Sequence, residues 1–148
     1  MELSWCHLIE SSVARLSVLS NLTELRLTRA YTRHQLNFQA NCFPKLKKII
    51  LWDLPQVNQI CIQEGALFTL EYIHIYGLKE LRDVPTGIGF LSSVKEAYFT
   101  GMHSDFVRNL KMRKLNHMPK VYWSTQGKIS NKVVSLMKQS RSWDLVDL

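Results

Sequence analysis

Long apolar runs are missing from this 148-residue sequence, and no stretch approaches the ~18 apolar residues that a membrane-spanning helix needs. The N-terminus, Met-Glu-Leu-Ser-Trp-Cys-His, lacks the basic start and continuous apolar segment of a signal peptide. Cysteine is scarce: Cys6, Cys42 and Cys61 cannot all pair with one another, and no C-x-x-C spacing points to zinc or thioredoxin-like redox work. Reduced, structural thiols are expected, in a cytoplasmic chain. With four Pro and six Gly the composition is neither disordered nor fibrous. Also absent are a G-x-x-x-x-G-K-[ST] loop to cradle phosphates and a coiled-coil heptad segment.

Convergent catalytic chemistry is missing as well. His7, His34, His74, His103 and His117 show no paired motif with Ser, Cys or Asp. Cys6 and His7 are merely adjacent, and strand neighbours point to opposite faces; the apolar column on which Cys6 falls favours its burial. No enzyme is expected, and no catalytic, cofactor-binding or metal-ligating residue. One glycosylation sequon, Asn21-Leu22-Thr23, is what chance supplies in this length.

What the sequence does contain is a period. Leu19, Phe43, Leu67, Leu91 and Leu115 recur at one constant spacing, every 24 positions, and so do Leu22, Leu46, Leu70, Val94 and Met118. Two further columns follow in register: Leu25, Ile49, Ile73, Ala97, Val121, and Leu27, Leu51, Ile75, Phe99, Trp123. Ala30, Leu54, Leu78 and Met102 complete an L-x-x-L-x-x-L-x-L-x-x-L pattern with no insertion or deletion. The two alternating apolar residues of each unit read as a short strand with one face on a core. One unit cannot cover its own leucines, so the units must stack. The expected fold is α/β, a leucine-rich-repeat solenoid of 24-residue period with a parallel concave sheet and a helical C-terminal cap. Pro55, Pro85, Gly65, Gly87 and Gly89 between the strands predict loops with short helical turns on the convex side. Where many leucine-rich repeats place an inward Asn, this chain has Ala30, Leu54, Leu78 and Met102, so backbone groups there must be satisfied another way.

Met1 and Leu3 fall on the columns of Leu25 and Leu27, so the repeats are expected over 1–124 with a truncated first unit. The last repeat is expected to hold a helix over 104–115, with Ser104-Asp105 as N-cap, and a strand over 120–124. Residues 125–148, with Ile129, Val133, Val134 and Met137 at helical spacing beside Lys132 and Lys138, are expected to form a capping helix and tail. The formal charge of +7 is uneven: residues 1–102 carry ten Lys/Arg against nine Asp/Glu, and residues 103–148 carry nine against three. Contact of this basic tail with RNA or membrane is therefore an alternative function, although lysines on a capping helix are normally just solvated.

The residues between the columns carry a resemblance. Leu22-Thr-Glu-Leu-Arg-Leu, Phe43-Pro-Lys-Leu-Lys-Lys, Leu70-Glu-Tyr-Ile-His-Ile, Gly65-Ala66 and Val84-Pro85-Thr86-Gly87-Ile88 are similar to phrases in plant resistance receptors of the coiled-coil, nucleotide-binding, leucine-rich-repeat family. Phe106 to Leu110 and His117-Met-Pro-Lys-Val121 resemble the Phe-x-x-x-Leu helix and His-x-Pro-x-Val strand that end its repeats. The resemblance spans residues 1–123 and implies a C-terminal fragment that lacks the nucleotide-binding switch. It implies cytoplasmic defence, with the repeats reading a pathogen effector, a host target or the receptor's own nucleotide-binding domain; a general scaffold or adaptor is the alternative. Neither a small-molecule substrate nor nucleic acid is the expected partner. Binding is expected on the side chains that alternate with the buried columns: Arg26, Lys48, Ile50, Trp52, Tyr72, His74, Tyr76, Tyr98 and Tyr122, whose aromatics would form one exposed patch.

Overall fold

The structure, a computed structural model, describes residues 1–125. Six short strands form one sheet: β1 (Glu2–Ser4), β2 (Glu24–Thr28), β4 (Lys48–Trp52), β6 (Tyr72–Tyr76), β7 (Glu96–Met102) and β8 (Lys120–Thr125). All neighbours in it are parallel, in the order β1-β2-β4-β6-β7-β8. Each residue pairs with the one 24 positions on, as in Leu25 with Ile49, Ile73 with Ala97 and Phe99 with Trp123, until a register shift after Phe99 sets Met102 opposite Thr125. The period read from the columns is therefore the register of the sheet. Alternation does the rest: Leu25, Leu27, Ile49, Leu51, Ile73, Ile75, Ala97 and Phe99 are all sealed in the core.

The segments that return from one strand to the next build a second layer, whose loops with helical turns were anticipated but whose strands were not. β3 (Gln35–Phe38) and β5 (Gln59–Ile62) form a parallel two-stranded sheet in the same register, Leu36 opposite Ile60 and Phe38 opposite Ile62. A bridge between Cys61 and Thr86 extends it by one rung. Leu36, Phe38, Ile60 and Ile62 point inward to meet the six-stranded sheet, closing a core that runs the length of the stack. One return segment carries helix α1 (Glu10–Leu16), and another a single 3-10 turn at Ile88–Phe90.

β1, β2, β4 and β6 each leave through a left-handed residue, and β7 carries one just before its last residue. Trp5, Arg29, Asp53, Gly77 and Gly101 have φ of 58°, 48°, 47°, 64° and 63°, and they recur with the period of the repeat. Their amides satisfy the chain where an inward Asn is lacking: the N–H of Trp5, Arg29, Asp53 and Gly77 donates to the carbonyl of Thr28, Trp52, Tyr76 and Thr100 on the next turn, at 2.9–3.2 Å. At Gly101, where the last strand is irregular, the acceptor is the Ser124 hydroxyl, 3.0 Å away.

Helix α2 (Ser104–Arg113) covers the β8 end, burying Phe106, Val107 and Leu110. Its N-cap is His103 and not Ser104-Asp105: the amide of Asp105 donates to His103 Nδ1 at 3.1 Å. The helix stops at Arg113 because Lys114 turns left-handed at φ 47°. Cys6, expected to be buried, is exposed, since its column has a neighbouring turn on one side only among the described residues. The capping helix anticipated after residue 125 lies outside the described residues.

Candidate functional site

The outer face of the six-stranded sheet brings the alternating side chains together as three ladders. Glu24, Lys48, Tyr72, Glu96 and Lys120 pair in sequence, then Arg26, Ile50, His74, Tyr98 and Tyr122, then Thr28, Trp52, Tyr76 and Thr100. Strands about 4.8 Å apart hold such neighbours in ring contact. Trp52 and Tyr76 meet edge to face at 5.1 Å, His74 and Tyr98 at 4.5 Å, and Tyr98 stacks on Tyr122 at 4.9 Å and 19°.

Exposure is less uniform than anticipated, which corrects the picture of one exposed patch. Ile50, His74 and Tyr98 are buried, at 0%, 6% and 7%. They occupy the middle ladder, flanked on each strand by the other two. Arg26, Lys48, Trp52, Tyr72, Tyr76 and Tyr122 are half-buried and present part of their surface to solvent. The accessible aromatics are thus Trp52, Tyr72, Tyr76 and Tyr122, set over a floor of Ile50, His74 and Tyr98.

Electrostatics keep that floor neutral. Burial, and then the Lys48 ammonium, push the pKa of His74 down to about 3, so the imidazole is uncharged at neutral pH. Tyr98 donates its hydroxyl to Glu96 Oε2 at 2.6 Å, and burial together with that bond raises its pKa. The same hydrogen bond holds the Glu96 carboxyl below the usual carboxylate range, with Lys120 donating to its other oxygen at 3.3 Å. Nothing in this arrangement resembles a nucleophile with its base. Among the described residues no cluster of His, Cys, Asp and Glu could hold a metal ion. No described helix is long and apolar enough to cross a membrane.

Beside the third ladder runs a rim that was not read from the sequence. Arg29 and Asp53, both left-handed, form an ion pair across adjacent turns. The Arg29 guanidinium also lies 4.7 Å from the ring centroid of Trp5, which is 64% exposed. The matching places of Gly77 and Gly101 in successive repeats were the available signal for these positions.

Similarity to known proteins leads to plants. A putative disease resistance protein of Arabidopsis thaliana is 25% identical over 130 residues, covering 84% of this chain and 14% of that protein. The chain is similar to several plant disease resistance proteins. Among these, the Arabidopsis disease resistance RPP8-like protein 3 is 24% identical over 80% of the chain, and disease resistance protein RPM1 is 23% identical over 76%. The chain spans only 14% and 13% of the lengths of these two disease resistance relatives. No family model and no solved structure matches it.

Proposed function

We propose that this chain is a leucine-rich-repeat solenoid that serves protein recognition, and not catalysis, in an intracellular plant immune receptor, as a fragment without the nucleotide-binding switch. The outer face of the six-stranded sheet is its binding surface, and the partner is a pathogen effector, a host target or the receptor's own nucleotide-binding domain. The observation that carries this reading is the cluster of half-buried Trp52, Tyr72, Tyr76 and Tyr122 on the large sheet. Trp and Tyr supply large contact area at small cost in side-chain entropy and dominate many interfaces. Their positions are preset, because the buried middle ladder and the ring contacts leave them little freedom, so little ordering is lost on binding. The defence setting comes from the disease resistance relatives.

A photo-reactive phenylalanine analogue placed at Tyr72 of the full chain tests this in plant cell extract, with Phe68, exposed on the return side, as the control position. The reading expects protein adducts from position 72 that survive nuclease and are absent from position 68. Adducts from position 72 that nuclease destroys would instead assign this face to RNA contact, and an absence of adducts from position 72 would remove it as the binding surface.

A further inference from the structure

Between the end of α2 and β8 opens a cavity of about 470 Å³, within the range of ligand-binding clefts. Its floor is apolar: Leu110 comes from α2, Leu115 and Met118 from the connecting turn, and Val121 and Trp123 from β8. Leu110 and Met118 belong to the buried core, so this floor is fixed by packing before anything enters. Trp123 stands in the inward column with Leu27, Leu51, Ile75 and Phe99, which are all but sealed, yet it is 41% exposed. An indole face is thus open to a ligand where the other turns of that column bury theirs.

The rim is cationic. Lys111 and Lys114 stand on one side of the end of α2, where like charges at this spacing repel one another. Other cations of the same helix have carboxylate partners: Arg108 meets Asp105 at 2.6 Å, and Arg113 meets Asp83 at 3.3 Å. Lys111 and Lys114 form no ion pair among the described residues, and no Asp or Glu lines the cavity. The Lys111 ammonium instead lies 5.8 Å from the Trp123 ring centroid, so positive charge sits directly beside the open apolar surface. The C-terminus of a helix carries about half a negative charge, less than two ammoniums bring, and the rim stays net positive.

We propose that this cleft binds a small amphipathic carboxylate, its apolar body laid on Met118, Val121 and Trp123 and its carboxylate held between Lys111 and Lys114. The floor selects the body, because polar groups placed on it would lose their water without gaining hydrogen bonds. The rim selects the head: charge-assisted hydrogen bonds from two ammoniums hold one carboxylate and relieve their mutual repulsion. A neutral ligand of the same body gains only the floor. This inference does not depend on the proposed binding face.

The test is a titration of the isotope-labelled full chain with decanoate below its micelle concentration, followed by NMR at the tryptophan indole N–H signals. 1-Decanol and decyltrimethylammonium serve as neutral and cationic probes of the same chain length, and Trp123→Phe assigns the Trp123 signal. Decanoate is expected to shift that signal saturably, to leave those of Trp5 and Trp52 in place, and to bind roughly tenfold tighter than 1-decanol, as two partly solvated ammonium contacts should. Lys111→Gln with Lys114→Gln should remove this preference, and Lys111→Glu with Lys114→Glu should transfer it to decyltrimethylammonium. All four substitutions fall on exposed side chains, so the variants should keep the parent's circular dichroism. The proposal is overturned if decanoate leaves the Trp123 signal unmoved, if the three probes bind the parent alike, or if the Glu pair still prefers decanoate. It is equally overturned if the chain binds vesicles of anionic phospholipid and decanoate fails to displace them, which would make the rim a membrane contact.

Discussion

The imidazole of His74 meets the ring of Tyr98 edge to face, 4.5 Å between centroids, one turn of the stack apart. Both are buried although they stand on the outer face of the sheet. Burial, then Lys48 and Arg26, disfavour the imidazolium, while Glu96 alone pulls the other way. The folded-state pKa, about 3, lies below the ordinary value of 6.5, so the unfolded chain binds the proton first. This contribution is therefore complete above pH 6.5 and is lost as pH falls toward 3. At about 1.4 kcal/mol per pH unit, stability should drop by about 2 kcal/mol between pH 6.5 and 5. Urea melts of the parent and of His74→Phe check this, and the variant should show a visibly shallower pH slope over that range.

Ile73→Asp should unfold the middle of the stack. Ile73 is 3% exposed between Ile49 and Ala97 on adjacent strands. An unpaired carboxylate there costs several kcal/mol against a total stability of roughly 5–15 kcal/mol. Circular dichroism of the variant at 25 °C should show loss of the native signal; a melt like the parent's would place this column elsewhere.

Two left-handed glycines should respond differently to the same methyl group. At Gly77, φ 64°, an added Cβ meets nothing within 4 Å, so Gly77→Ala carries only the backbone penalty of about 1–2 kcal/mol. At Gly87, φ 83°, it would stand 1.9 Å from the Ile62 carbonyl oxygen, in the rung between the return segments. Gly87→Ala should lower the melting temperature well beyond Gly77→Ala.

The thiols should separate by reactivity. Cys6 is exposed, whereas burial pushes the Cys42 thiol up to about 11 and keeps it protonated and shielded. With a thiol reagent at pH 8, native chain should modify Cys6 rapidly and Cys42 only after denaturant is added, as peptide mass mapping would show.

The strands of the large sheet were legible because one period governs both the apolar columns and the register: a residue that must be buried recurs wherever the next strand is laid. The left-handed positions were legible only at Gly77 and Gly101, since Trp5, Arg29 and Asp53 occupy the same conformation without advertising it. β3 and β5 escaped because Gln35-Leu-Asn-Phe and Gln59-Ile-Cys-Ile are short and lie among turn residues. On the candidate face, register is a property of the sequence, but cover is not. Ile50, His74 and Tyr98 alternate outward as read, yet all three are buried. Tyr98, with its stacked ring and its bond to Glu96, belongs to the support of the face, so truncating it would damage the fold along with any binding.

The most direct measurement is the affinity of the full chain for a protein that binds it, compared with Trp52→Ala combined with Tyr76→Ala, a ring pair 5.1 Å apart on the accessible part of the face. The double variant should keep the parent's circular dichroism and weaken binding by ~2 kcal/mol, about 30-fold in Kd, while Phe68→Ala on the return side changes nothing. A folded double variant that binds as tightly as the parent, or a loss that appears only with Phe68→Ala, would contradict recognition by the outer face of the sheet.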